Sequence, residues 1–195
     1  QLPNVVSQEE EIALNAIQST YHVDEKYQAT TNSFLQSCVK VLKDAPVTLL
    51  REHYRCHPRI IDFCNQRFYN GELIAMTSDN NEGKVLQVIK TVPGNHARGH
   101  FNQREIDVII QEVMPEYSTS DSVGIITPYR DQAIAINQAL GKDVASTVHK
   151  FQGRECDAII MSMVDNIPTD FSDDPNLMNV AISRAKTKLC IVVNG

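Results

Sequence analysis

The sequence predicts an α/β domain built on a mainly parallel sheet covered by helices on both faces. Short apolar runs without polar alternation, such as Val123-Gly124-Ile125-Ile126, recur through the second half of the chain. Strands buried on both faces read this way. Helical periodicity alternates with these runs, as crossover connections between parallel strands require. The 195 residues, 42% of them apolar, suit one domain with an ordinary core, and the whole chain (1–195) is read as one domain.

The elements follow in order. Ser7 before Glu9-Glu10-Glu11 marks a helix start, with the acids where the helix dipole favours them. Ile12, Ala13, Ala16 and Ile17 continue it at helical spacing. A second helix is expected over residues 32–42, stopped by Pro46, and residues 47–50 read as a short buried strand. Pro58 sits at a first-turn position, and Ile60, Ile61, Phe63, Cys64 and Phe68 make an amphipathic helix ending near Gly71. Then come a strand over 85–89, a helix over 102–117, a strand over 122–127 and a helix over 129–140. Strands over 143–148 and 156–164, a helix over 176–185 and a closing strand over 188–193 complete the pattern.

Composition excludes several classes. With 22% charged residues and a net charge of -6, the chain is neither a disordered polyelectrolyte nor a domain that binds nucleic acid by bulk basicity. No apolar run reaches the ~20 residues of a membrane helix, so no membrane association is expected. The five cysteines, Cys38, Cys56, Cys64, Cys156 and Cys190, contain no CxxC pair, which suits reduced thiols in the cytoplasm. Cys56-His57 and the pair His96/His100 read as packing and surface residues, and no metal site is expected. The chain opens Gln1-Leu2-Pro3 without a methionine and is read as a piece of a longer protein.

Ligands of open parallel sheets bind at the strands' carboxyl ends, which directs attention to three polar segments. Arg55, after residues 47–50, either forks onto phosphate oxygens or pairs with a nearby carboxylate such as Glu52. In the segment 147–155, Thr147 or His149 can donate to a phosphate, Lys150 or Arg154 can neutralise it, and Glu155 can accept from ribose hydroxyls. Gly153 lets a ligand or another backbone approach closely. The bland reading of the same segment is a tight turn, with Thr147 as a cap and Phe151 in the core. Arg184 is placed on the last helix, where a lone arginine is usually solvated.

Together these segments resemble one family: the chain is similar to the second, C-terminal RecA-like domain of superfamily 1 helicases, a P-loop NTPase-type fold. The branch is the one containing the nonsense-mediated-decay RNA helicase and the DNA helicase–nucleases. Gln1-Leu2-Pro3 resembles the tail of the GDxxQLP motif that ends the preceding domain. YRxHP and FYxGxL are matched at 54–58 and 68–73, an N-x-x-E helix start at Asn102 and Glu105, and ITPYxxQ at 126–132. TVxxFQGxExD is matched at 147–157 and NVAxSRA at 179–185.

The resemblance implies roles. Arg55 and Arg184 correspond to arginines that reach the ATP γ-phosphate across the domain cleft and stabilise charge in phosphoryl transfer. Gln1 corresponds to a γ-phosphate sensor, and Gly153 and Glu155 to nucleotide contacts, with Glu155 on the ribose. Thr127, Thr147 and His149 fall near the single-stranded DNA or RNA track, and Tyr129 either stacks there or packs under its helix. No GxxxxGK[ST] sequence and no strand-ending Asp-Glu pair occur in the chain. ATP with Mg2+ is therefore expected to be bound mainly by an N-terminal RecA-like domain of the same protein, and this chain alone should not hydrolyse it. The expected function is the motor domain of an ATP-dependent helicase. The rival is a helicase-like module that binds nucleic acid or protein without catalysis of its own, and a Rossmann-type enzyme lacks its glycine fingerprint here.

Overall fold

In the computed structural model of the protein, residues 6–80, 83–94, 96–117, 119–167, 169 and 174–195 are described. The chain divides into two compact units, Gln1–Leu49 and Leu50–Gly195.

The first unit holds helices α1 (Gln8–Thr20) and α2 (Phe34–Val41), each opened by a capping box, Ser7 with Glu10 and Ser33 with Gln36. Each box satisfies two of the N–H groups that a helix start leaves without partners. Asn32 ties the turn before α2 together. Its amide donates to the carbonyls of Glu25 and Gln28 at 2.8 and 3.2 Å, and its oxygen accepts from Lys40 Nζ at 2.6 Å.

The strand expected at 47–50 does not form, since Val47, Leu49 and Leu50 are exposed. Three apolar residues in four do not by themselves distinguish a strand from a connector; a strand also needs a partner. The partnered residues come just after: β1 (Glu52–His53) pairs in parallel with β2 (Ile74–Ala75). Between them runs α3 (Pro58–Phe68), with Pro58 in its first turn and the His57 ring accepting from the Arg59 N–H as its cap.

The main sheet has five parallel strands: β3 (Leu86–Lys90), β4 (Val123–Thr127), β5 (Ala145–Thr147), β6 (Cys156–Ser162) and β7 (Ala185–Val193). Their order is β3-β7-β6-β4-β5, which leaves β3 and β5 at the edges. One face packs Ile125, Ala158, Ile160, Cys190 and Val192 against α4 (Gln103–Val108), its continuation Ile109–Val113, and α6 (Arg130–Leu140). The other face is covered by α3, α7 (Val148–Phe151) and α8 (Pro175–Ile182). Gly124 is required on that second face. A methyl group there would collide with the Phe151 ring and sit 3.0 Å from Cys156 Sγ, in a core packed too tightly to yield.

Two helix boundaries differ from expectation. The helix over 102–117 is interrupted: Ile109–Val113 is a π turn that leads into α5 (Met114–Glu116). Pro115 lies just beyond, and a proline without an N–H favours such local unwinding. The last helix stops at Ile182, capped by Ser183, and Ala185 already begins β7. Arg184 is therefore not a helix residue but the hinge between α8 and β7.

Candidate functional site

The polar residues gather at the two opposite ends of the sheet. At the amino ends of β6 and β7, the backbone N–H of His57 donates to the Lys186 carbonyl at 2.6 Å, docking the segment around Arg55 onto the start of β7. Cys56 Sγ reinforces this by donating to the Ser183 carbonyl at 3.4 Å.

Arg55 then reaches Glu155, Nε to Oε2 at 2.6 Å, while Lys186 Nζ holds Oε1 at 2.9 Å. The expected alternative partner, Glu52, instead accepts from the Tyr54 hydroxyl. Lys186 and then Arg55 hold the Glu155 carboxyl below its ordinary pKa by hydrogen bonding, so it is ionised at neutral pH. Arg184 completes the cluster without a carboxylate. Its Nε donates to the Val180 carbonyl at 3.0 Å, and its other nitrogens to the Arg154 carbonyl and the Ser183 hydroxyl. Burial, with the charge of Arg55 second, lowers the Arg184 pKa. Three cations thus surround one carboxylate, and one guanidinium is satisfied only by neutral oxygens. A charge excess of this kind favours an anionic guest.

Arg55, Arg184 and Glu155 come together, but at the amino ends of the strands, opposite the carboxyl ends where the sequence places them. Lys186 escaped that reading. Lys186 lies two residues after Arg184 because β7 begins at Ala185, ahead of the expected start at 188. Gly153 adopts φ +87 with nothing within 4 Å of a built Cβ. Its need for glycine is conformational, since among the described residues a Cβ there would meet no non-neighbouring atom within 4 Å. Gln1 lies outside the described residues.

At the carboxyl ends the residues disperse. Thr127 is fully buried, and its hydroxyl makes no hydrogen bond among the described residues. Thr147 precedes α7 and lines a groove beside the edge strand. His149 lies on the same short helix, half-buried, and burial lowers its pKa against the opposing charge of Asp174. Tyr129 stacks on His100, ring centroids 4.2 Å apart and planes 7° apart, and its hydroxyl donates to Asp165 at 2.9 Å.

Behind them lies a buried network. Glu105 accepts from the Ser162 hydroxyl at 2.6 Å and from the Val164 N–H at 3.0 Å. Gln132 donates to Ser162 Oγ at 2.8 Å and accepts from the Asn102 N–H at 2.9 Å. The Asn102 amide donates to the Val164 carbonyl at 3.0 Å. Val164 itself has φ +68, a conformation that β-branched residues avoid at a cost of about 1–3 kcal/mol. Burial pushes the Glu105 carboxyl up to about 7, against the pull of Ser162 and the Val164 N–H. Asn102, Glu105 and Gln132 are motif residues, and here they brace the loop after β6. A similar brace joins Asn179 to the Tyr69 hydroxyl at 3.0 Å.

Four of the five thiols, Cys56, Cys64, Cys156 and Cys190, are buried and protonated at neutral pH. All five cysteines are free, and burial pushes Cys56 up to about 11, Cys64 to about 12 and Cys190 to about 11. Among the described residues no group of three or more His, Cys, Asp or Glu could hold a metal ion, and no helix is long and apolar enough to cross a membrane.

A five-stranded parallel sheet with this order and both faces covered is the RecA-like architecture of helicase domains. The C-terminal domain of a possible DNA helicase from Lactobacillus plantarum shares the fold, with a TM-score of 0.50 at 19% identity over 73% of this chain and 88% of that one. The chain belongs to the AAA domain family, matched over residues 30–195, and is a C-terminal superfamily 1 helicase domain of the branch that holds Sen1. Mouse 5'-3' DNA helicase ZGRF1 is 32% identical over 166 residues, 74% of this chain. Helicase sen1 of Schizosaccharomyces pombe is 29% identical over 75% of the chain, and the probable RNA helicase armi of Drosophila melanogaster 27% identical over 76%. The chain spans between 9% and 16% of the length of these three relatives.

Proposed function

We propose that this chain is the second RecA-like domain of an ATP-dependent motor that moves along single-stranded DNA or RNA, and that it supplies one half of the ATP site. The observation that carries the reading is the cluster of Arg55, Arg184 and Lys186 around the single carboxylate of Glu155. Its charge excess fits a triphosphate, whose hydrolysis supplies the driving energy. Arg184, half-buried and without a carboxylate, is the residue best suited to meet charge that develops during phosphoryl transfer. Arg55 would leave Glu155 for the phosphate, and Glu155 would then be free to accept from the ribose.

Mg2+ and most of the nucleotide would be held by an N-terminal RecA-like domain, with residues 1–3 the tail of its last motif. Opening and closing of the two domains would alternate the grip on the strand, for which Thr127, Tyr129, Thr147 and His149 are the candidate residues on this side. The five free thiols suit the cytoplasm.

The test is ATP turnover by the full-length protein, titrated with single-stranded DNA and, separately, RNA. Stimulation by either is expected, with no turnover by residues 1–195 alone. A full-length protein that binds strands but never turns over ATP would instead be a binding module without catalysis.

A further inference from the structure

Arg55 stands on a turn whose backbone is held by side chains from outside the cation cluster. The Cys56 N–H donates to His53 Nε2 at 3.0 Å, which requires that nitrogen to carry no proton. Burial, and then the charge of Arg55, lowers the His53 pKa and favours the neutral ring. The Cys56 carbonyl accepts from Thr77 Oγ1 at 2.6 Å. His57 Nδ1 accepts from the Arg59 N–H at 3.2 Å, so the proton of this buried ring sits on Nε2, 3.4 Å from Asp79 Oδ1. Asp79 also takes both prongs of the Arg59 guanidinium, Nε to Oδ2 at 2.7 Å and Nη2 to Oδ1 at 3.0 Å. A bidentate pair of this kind fixes direction as well as distance.

Thr77 and Asp79 arrive together, just after β2. The Met76 N–H donates to the His53 carbonyl at 2.8 Å, which lays the end of β2 along β1 and carries Thr77 over Cys56. Neither Thr77 nor Asp79 belongs to a family motif. They close on the backbone of residues 56–59 from one side, while the His57 N–H ties it to Lys186 on the other.

What this clamp leaves free to turn is the Arg55 side chain, which pairs with Glu155 and in the motor reading must leave it for a phosphate. Exchange between two partners needs a backbone that stays in place, because a misplacement of about 1 Å can cost ~10²-fold in rate. We propose that Thr77 and Asp79 are positioning residues, which fix the turn after Arg55 and so aim its guanidinium at the transferring phosphate. The proposal rests on the motor reading and adds to it a loop that the motifs do not contain.

The test is steady-state ATPase of the full-length protein with saturating single strand, for Thr77→Val, Thr77→Ser and Asp79→Asn, each alone and combined with Arg55→Ala. Thr77→Val removes the donor and keeps the shape. Its kcat should fall about tenfold with the KM for ATP within about twofold, the pattern of an interaction that matters only in the transition state. Thr77→Ser keeps the hydroxyl and should restore most of that loss. Asp79→Asn keeps one acceptor for Arg59 and should lower kcat by about threefold, reading the clamp independently of Thr77. Melting temperatures should change little. In the Arg55→Ala background neither substitution should lower kcat further, since positioning acts only through the arginine.

Unchanged kcat in Thr77→Val and Asp79→Asn, with Arg55→Ala lowering it, would overturn the positioning and leave Arg55 in its role. An equal fall for Thr77→Val with and without Arg55 would show a bond that serves the fold alone, and would overturn the proposal as well. A normal kcat in Arg55→Ala would overturn the reading of Arg55 itself, and the positioning with it.

Discussion

The two ends of the sheet solve opposite problems. At the amino ends of β6 and β7, Arg55, Glu155, Arg184 and Lys186 are partly exposed and carry more positive charge than they neutralise. At the carboxyl ends, Asn102, Glu105, Gln132 and Ser162 are fully buried and spend their hydrogen bonds on one another and on a strained Val164. Arg55, Glu155 and Arg184 in the first set and Asn102, Glu105 and Gln132 in the second come from family motifs. A charge excess left open is useful to a ligand, whereas a polar network closed on itself is useful to the fold. Motif membership alone does not separate the two.

The two ends should differ most at Glu105. Glu105→Ala strands the Val164 N–H and the Ser162 hydroxyl in the core, each worth about 1–3 kcal/mol, and denaturant unfolding at pH 5 should show a loss of about 2–4 kcal/mol. Arg55→Ala removes an ion pair whose partners are 37% and 41% exposed and a long hydrogen bond to the Ser183 carbonyl at 3.4 Å, and should cost about 1 kcal/mol. Equal losses at the two sites would erase the distinction drawn here.

The Glu105 carboxyl also makes stability depend on pH. Its folded pKa of about 7 lies above the value of 4.5 it would have unfolded, so the folded state binds the extra proton between those values. Stability from this group is present below pH 4.5 and is lost as pH rises through 7, by about 3 kcal/mol in all. Glu105→Gln, which keeps an acceptor for Val164 and carries no charge, should flatten that part of the stability profile. Glu155, with its pKa lowered, contributes in the reverse direction and only at acidic pH.

Smaller effects belong to the expected track residues. Thr127→Val replaces a buried, unpartnered hydroxyl with a methyl group of similar shape, and should leave stability equal or raise it by about 1 kcal/mol. A loss of strand affinity in that variant, with stability intact, would show that Thr127 turns outward to hold a phosphate. His149→Ala should change the salt slope of strand binding least of all, because a lowered pKa leaves the ring neutral at pH 7.

Much of the fold was legible in the sequence. Ser7 opened its helix as expected, the second helix formed within 32–42, and the five strands of the main sheet fell within a few residues of their expected spans. The misses share a cause: local pattern does not know its partner. Residues 47–50 are mostly apolar but join no strand among the described residues, and the π turn at Ile109–Val113 answers to Pro115 rather than to periodicity. Arg55, Glu155 and Arg184 were legible as a set only through their motifs, since 100 residues separate the first two. Their position at the amino ends, the contribution of Lys186 and the closure of the Glu105 network all depend on strand register, which spacing does not encode.

The central claim is that the amino-end cluster serves charge that develops in phosphoryl transfer. Its most direct test is Arg184→Ala in the full-length protein, measured by steady-state ATPase with saturating single strand and by nucleotide affinity at equilibrium. The account predicts a fall in kcat of about 10³-fold or more, with little change in nucleotide affinity or melting temperature and poor rescue by Arg184→Lys, since an ammonium cannot fork onto two oxygens. A near-normal kcat in Arg184→Ala would contradict it, and would leave this arginine as no more than a cap on the end of α8.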